Sequence, residues 1–244
     1  MIKRVFKELF MEWRIVAAYL IVMFALMFAI SKLRLDNFAF AECCGMDAFA
    51  CASQVLPESV FPICCLLSIS VNKNNFNSER VVLSKSNSSI WNYTVLKTAV
   101  LSILMAVFIF IVTFFVAELG FSEFYNWNSE KSNLYDNTGY TLDNVNYLMI
   151  FTSYFCQVFY GIYTASIMPM AIFWYVRSYI ISAVGTVIIL FTAIFAGTDF
   201  IYGQNIYYDK MIYGMDMRYH FIYPVIVLII IILVGSLKKK RDYI

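Results

Sequence analysis

The sequence predicts an all-α, polytopic membrane protein with six transmembrane helices, an amino-terminal interfacial helix and both termini in the cytoplasm. Of its 244 residues, 61% are hydrophobic and only 14% are charged, and the mean hydropathy is +0.72, well above the range of soluble domains. Its apolar runs reach the roughly 20 residues that a helix needs to cross a bilayer, and charged or polar segments separate them. The net charge is only +2, so nucleic acid is not an expected partner.

The interfacial helix is predicted over residues 1–14. Apolar side chains recur there at helical spacing and charged side chains take the opposite face, which is typical of a helix lying on a membrane surface. The apolar positions are Ile2, Val5, Phe6, Leu9, Phe10 and Trp13, and the charged ones are Lys3, Arg4, Lys7 and Glu8. A secretory signal peptide is the alternative, since residues 39–41 read Ala-Phe-Ala, but three charged residues precede that motif.

Six apolar segments are the predicted spans. They cover residues 13–30, a stretch within 48–71, and residues 98–117, 147–174, 178–197 and 221–237. The second contains Pro57 and Pro62, which we expect to break or kink its helix. The only charge between residues 143 and 199 is Arg177, and that stretch is too long for one helix, so a tight turn at Arg177 should separate the fourth and fifth spans.

The orientation follows from the basic residues, which are retained on the cytoplasmic side. With both termini inside, thirteen of the 18 Lys and Arg residues are cytoplasmic, but only four of the 16 acids are. Residues 72–97 then form a cytoplasmic segment, and the loops 31–47, 120–146 and 198–220 are external.

The six cysteines leave the disulfide question open. Cys43, Cys44 and Cys51 fall on the external side, where a disulfide can persist, and a bond between Cys44 and Cys51 is sterically possible. The adjacent pair and the odd external count give no definite pairing. His220 is the only histidine and lies far away in sequence, so metal binding is not expected.

Two sets of polar residues within the spans are candidates for a substrate path. Glu58 lies about 15 Å deep if its helix begins near residue 48, whereas it is interfacial if the helix begins at residue 55. In the fourth span Tyr154, Gln157, Gly161 and Thr164 recur every three or four residues. Such a stripe indicates either close helix packing or the wall of a path.

Enzyme motifs are missing from the sequence. It has no phosphate-cradling Gly-x-x-x-x-Gly-Lys-Ser/Thr loop, no His-Glu-x-x-His and no Gly-x-Ser-x-Gly. We therefore expect a transport protein, a channel or a helical scaffold rather than an enzyme.

Residues 76–97, FNSERVVLSKSNSSIWNYTVLK, form the longest polar run, between the second and third spans. With the order of the spans, this run resembles the membrane subunits of ABC transporters of the type-2 export permease family, over nearly the whole chain. That family commonly carries acidic and basic residues in this connector and a Lys or Arg entering the third span. The matching residues here are Glu79, Arg80, Lys85, Ser86, Trp91 and Lys97. The family's frequent Gly-Thr and Pro-x-Ser-Arg elements are missing, so the subfamily stays open.

The resemblance implies one transmembrane permease domain over residues 1–244, in a bacterial plasma membrane, that exports a peptide or another amphipathic substrate. It implies that residues 72–97 dock on cytoplasmic ABC ATPase subunits, which bind ATP and Mg, and that this chain holds no cofactor. The alternative for this segment is a solvated loop between two spans. A second permease chain, identical or related, would complete the path, with Glu58 and the stripe of the fourth span as wall residues. Two alternatives stay open: a substrate-binding membrane subunit of an importer, and a non-transporting membrane scaffold or immunity protein.

Overall fold

The computed structural model describes residues 2–36, 42–76, 87–195 and 222–237. The described chain is helical and contains no β-strand, which confirms the predicted all-α class. Its α-helices are α1 (Ile2–Met11), α2 (Trp13–Asp36), α3 (Gly45–Asn72), α4 (Asn87–Leu119), α5 (Asn133–Thr138), α6 (Tyr147–Val176), α7 (Tyr179–Phe195) and α8 (Tyr223–Ser236), and a 3₁₀ turn (Lys73–Phe76) follows α3.

Three of these helices are long and apolar enough to cross a membrane: α3, α4 and α6. A fourth is added if α1 and α2, which meet at an angle of 72°, are counted as one bent span. The helices α7 and α8 are also apolar but shorter, with 17 and 14 residues. These lengths and compositions indicate a membrane-embedded protein.

The centre of the bundle is formed by α3 and α6, which pack against each other. In addition, α3 contacts α2, α4 and α7, while α6 contacts α4, α7 and α8. In the most apolar 18-residue stretch of each helix, 61% of the residues are buried in α3 and in α6, compared with 33% in α4. The protein interior therefore lies along α3 and α6, and α4 presents more of its surface outward.

The predicted tight turn at Arg177 is confirmed. Arg177 adopts a left-handed conformation with φ of 62°, and its backbone N–H donates to the Phe173 carbonyl at 2.9 Å. This is the usual geometry for ending an α-helix. The rings of Phe173 and Tyr179 stack across the turn with centroids 4.0 Å apart. Their stacking holds the start of α7 against the end of α6.

Residues 120–146 form a packed cap at the end of the bundle where α3 begins. The Trp127 indole N–H donates to the Asp47 carboxylate at 2.9 Å, and the Gly45 amide donates to the Glu123 carbonyl at 3.0 Å. Trp127 and Leu134 are fully buried. The sequence predicted only a long external loop here, because the contacts that order it come from α3.

The helix α3 begins at Gly45, three residues before the earlier of the two starts considered for the helix that carries Glu58. The Asp47 carboxylate accepts the Cys44 amide at 2.7 Å and fixes this start. Glu58 is then about 20 Å along the helix axis. The helix was expected to break or kink at its prolines; the break is wrong, since α3 runs without interruption through Pro57 and Pro62.

Candidate functional site at the basic end of the bundle

Most of the described basic residues lie toward the end of the bundle opposite the cap. The α1–α2 elbow, the end of α3, the first turns of α4, the α6–α7 turn and the end of α8 meet there. Two hydrogen bonds show this arrangement: the Tyr179 hydroxyl donates to the Lys73 carbonyl at 3.0 Å, and the Trp91 indole donates to the Ile232 carbonyl at 2.9 Å. Residues 77–86, which include the predicted coupling residues Glu79, Arg80 and Lys85, lie outside the described residues, but both flanks of this connector are at this end.

Lys97 of α4 is the centre of a buried ionic cluster. Its side chain is only 1% exposed, and its ammonium group donates to the Val71 carbonyl at 2.8 Å. It also lies 3.1 Å from a Glu12 carboxylate oxygen and 3.5 Å from one of Glu8. Carbonyl groups in the last turn of a helix lack intrahelical donors and attract cations. Lys97 thus joins the end of α3 to the elbow between α1 and α2.

Arg4 extends this cluster to the first turns of α4. Its guanidinium bonds the Glu8 carboxylate at 3.2 Å, and its central carbon lies 5.3 Å from the ring centroid of Tyr93. Glu8 therefore contacts both Arg4 and Lys97. These contacts attach α1 to α4 by charge as well as by apolar packing.

A chain of buried amides and hydroxyls joins the last turn of α3 to α4. The Asn75 side-chain amide donates to the Asn72 side-chain carbonyl at 2.9 Å, and the Asn72 amide donates to the Thr98 hydroxyl at 3.3 Å. The Asn75 amide also lies 3.5 Å from the Thr94 hydroxyl. Buried polar groups that satisfy one another specify a single arrangement of the helices that carry them. Both flanks of the connector are therefore fixed to each other.

Trp91 is an internal anchor of the bundle, and the expectation that it contacts a partner is corrected. Its side chain is 0% exposed and its ring centroid lies 5.9 Å from that of Trp174. The backbone at Gly235 approaches so closely that a Cβ there would lie 2.0 Å from the indole. The same correction applies to Lys97, because a side chain enclosed by its own chain has no surface left for a second protein.

The polar stripe of α6 also faces the interior of the chain, so its predicted place on a path between two chains is corrected. Tyr154 hydrogen-bonds Thr113 of α4 at 2.8 Å, and a Cβ on Gly161 would lie 1.9 Å from the Phe61 ring. Thr164 is fully buried. Close approach at a small residue is the usual reason for such stripes in membrane helices. The packing alternative considered from the sequence is the one that the structure has.

Gln157, the remaining member of the stripe, has a specific structural partner. Its side-chain amide donates to the Ser53 carbonyl at 3.1 Å. In a regular α-helix the backbone N–H of residue 57 would donate to the Ser53 carbonyl. Residue 57 is a proline, which has no N–H. Gln157 thus supplies a donor at the point where α3 loses one at Pro57.

Glu58 is exposed on the outer side of α3, whereas its neighbours Pro57 and Ser59 are buried. Of the predicted path residues it is the one on the surface of the chain.

The six cysteines are free in the structure. Burial, reinforced by the negative charge of Asp47, raises the pKa of Cys43 to about 11 and that of Cys44 to about 12. Both thiols are therefore protonated at neutral pH and poorly reactive. Among the described residues, no group of three or more His, Cys, Asp and Glu side chains is placed to hold a metal ion.

Several residues of the basic end were not found from the sequence: Glu8, Glu12, Asn72, Trp174 and Gly235. One signal was present. Lys97 directly precedes a strongly apolar run, and a lysine buried there requires a nearby acid; α1 and the elbow carry two, Glu8 and Glu12. The others have no local signal.

No protein-family model matches the chain, no curated protein matches its sequence, and no solved structure matches its fold. The functional argument therefore depends on the geometry of its own residues.

Proposed function

We propose that this chain is the membrane-spanning permease subunit of an ATP-driven ABC exporter for a peptide or another amphipathic substrate. It works with a second permease chain, identical or related, and with separate cytoplasmic ATPase subunits that bind ATP and Mg. It has six spans, α2, α3, α4, α6, α7 and α8, with both termini in the cytoplasm of a bacterial cell. Residues 72–97 couple it to the ATPase.

One observation carries this proposal: both flanks of the connector 77–86 are fixed to the bundle by buried contacts. Asn75 and Asn72 hold the flank that follows α3, while Trp91 and Lys97 hold the flank that begins α4. A partner that pulls on a connector anchored in this way moves several helices together. A solvated loop needs no such anchoring.

The roles of the predicted coupling residues are divided accordingly. Glu79, Arg80 and Lys85 of the connector contact the ATPase, where charges set orientation and partner choice. Trp91 and Lys97 transmit the displacement, to α6 and α8 through the indole and to α1 and α2 through the ammonium group.

The topology is supported by where the described charges fall. Lys73, Lys97 and Arg177 lie at the same end as α1, while Glu123 and Asp47 lie at the cap. Basic residues are retained on the cytoplasmic side of bacterial membranes. The end that holds the connector therefore faces the cytoplasm, where an ATPase can reach it.

Glu58 is the wall residue that we retain for the substrate path. An exposed carboxylate about 20 Å along a spanning helix is costly in lipid, so such groups face a partner or a water-filled cavity. We place this face of α3 toward the second permease chain. Glu58→Gln should impair transport and leave assembly intact, and unchanged transport at every substrate concentration would remove Glu58 from the path.

The experiment that tests the coupling is site-specific photocrosslinking in native membranes. A photoreactive residue at Ser86 should crosslink to a subunit that carries a nucleotide-binding loop, whereas one at Thr141, on the cap, should not. Purified chain alone should not hydrolyse ATP. Arg80→Glu should weaken retention of the ATPase in a salt-sensitive way, while Lys131→Glu on the cap serves as the matched control. Absence of any ATPase among the products from Ser86 would refute the proposal.

A further inference from the structure

The helix α1 has three chemically different faces. Val5 and Leu9, 0% and 6% exposed, face the bundle. Ile2, Phe6 and Phe10 form an adjacent apolar stripe that is 50–76% exposed. Lys3 and Lys7 lie on the next face and are also exposed. An exposed apolar stripe beside a row of cations is the pattern of a helix half-embedded in a lipid headgroup region.

The elbow sets the angle of this helix. The 72° bend between α1 and α2 means that, when α2 crosses the bilayer, α1 lies near the plane of the membrane surface. Trp13, at the bend, is 55% exposed, and aromatic rings of this kind favour the headgroup level.

In this region the acidic side chains are paired with cations of the same chain, whereas three basic side chains are exposed and unpaired with any described residue. The carboxylates of Glu8 and Glu12 are paired with buried Lys97, and Arg4 is paired with Glu8. Lys3 and Lys7 of α1 and Arg14, just after the elbow, are exposed, and none of them forms an ion pair with a described residue. Internal pairing of the acids therefore leaves an outward surface with three cations.

We propose that α1 and the elbow form a binding surface for anionic phospholipids, in which Lys3, Lys7 and Arg14 contact headgroups and the stripe of Ile2, Phe6 and Phe10 contacts acyl chains. A free phosphate would engage only the cations, and the apolar stripe beside them requires a ligand that also carries hydrocarbon. The surface goes beyond the proposed transport function and does not depend on an ATPase.

The chain provides its own fluorescent reporter for this surface. It has four tryptophans, and three of them, Trp91, Trp127 and Trp174, are 0% exposed. Quenching by lipids with brominated acyl chains therefore reports chiefly on Trp13, and Trp13→Phe should remove most of it.

The test uses the full chain reconstituted in two sets of phosphatidylcholine–phosphatidylglycerol vesicles of identical headgroup composition, in which either the phosphatidylglycerol or an equal amount of the phosphatidylcholine is brominated. Brominated phosphatidylglycerol should quench at least about twofold more, since each cation near an anionic surface contributes favourably to binding. The variant with Lys3→Gln, Lys7→Gln and Arg14→Gln should show equal quenching by the two lipids, and so should wild type at high salt. Lys131→Gln, at the opposite end, should behave as wild type.

Each single replacement should remove part of the preference, which keeps the test usable if the triple variant aggregates. Equal quenching by the two lipids in wild type, or a preference that survives in the triple and single variants, would overturn the proposal. Weak quenching by both lipids would also overturn it, because it would mean that the elbow does not lie in the bilayer surface.

Discussion

The side-chain amide of Gln157 donates a 3.1 Å hydrogen bond to the backbone carbonyl of Ser53, one turn before Pro57. A proline at residue 57 removes the regular donor to that carbonyl. In a membrane, neighbouring helices must provide the missing partner because water is absent. Gln157 therefore joins α6 to α3 at the point where Pro57 removes a backbone hydrogen bond from α3.

Gln157→Leu should lower the free energy of unfolding by about 1–2 kcal/mol, because it leaves a buried carbonyl without this donor. In a Pro57→Ala background the cost should be smaller, since the alanine supplies the regular backbone N–H. Thermal unfolding in detergent measures both. Tyr154→Phe, which loses its bond to Thr113, is the control and should cost the same in either background. An equal cost of Gln157→Leu in both backgrounds would contradict this account.

Lys97→Met should destabilise the chain by about 2–4 kcal/mol, because it leaves Glu8 and Glu12 facing each other without their shared cation. The effect should concentrate on α1, whose backbone amides should exchange hydrogen faster by mass spectrometry. Adding Glu8→Gln and Glu12→Gln should restore part of the protection.

Lys73→Met is the control for the loss of a lysine at the same end, since this side chain is exposed. It should leave the exchange of α1 unchanged. If Lys97→Met and Lys73→Met gave the same exchange pattern, the ionic cluster would not be what holds α1 on the bundle.

Gly235→Ala should destabilise the chain by about 1–3 kcal/mol, because its Cβ would overlap the buried indole of Trp91 at 2.0 Å. Trp91→Phe in the same chain should recover part of the loss by making room. Gly185→Ala is the matched control: its Cβ meets only Ile172, at 3.7 Å, and alanine favours a helix. Thermal stability that falls equally for both glycines would show that Trp91 does not pack against α8.

The topology can be measured by single-cysteine labelling in a cysteine-free background. Thr141→Cys, on the exposed surface of the cap, should react with a membrane-impermeant maleimide in intact cells. Ser236→Cys, at the exposed end of α8, should react only after the membrane is opened. Labelling of Ser236→Cys in intact cells would reverse the orientation and remove the connector from the cytoplasm.

Much of the helical layout could be predicted from the sequence, because long apolar runs identify membrane helices. The turn at Arg177 was predictable since a single charge interrupts an apolar stretch too long for one helix. The amphipathic pattern of α1 was equally local. The helix α3 begins three residues before the earlier start considered from the sequence. The Asp47 carboxylate that accepts the Cys44 amide there looks like an ordinary loop acid until Trp127 is seen to donate to it.

The candidate site was predicted in part. Lys97 and Trp91 were correctly singled out as unusual, yet both were assigned to a surface that contacts another protein. Their burial depends on Glu12, which is 85 residues away, and on Ile232, which is 141 residues away. No local pattern in the sequence distinguishes an aromatic residue that binds a partner protein from one that is buried within its own chain.

The sequence by itself determined that this is an all-helical membrane protein, where its long apolar helices run and at which residue two of them reverse, since these properties depend on hydropathy and backbone propensity along the chain. The tertiary structure decided that α3 continues through two prolines, that the polar stripe of α6 is a packing surface, and that the basic end is held by buried anchors. Those outcomes depend on which distant side chain fills a space or donates a hydrogen bond, and such pairings are set only when the helices pack.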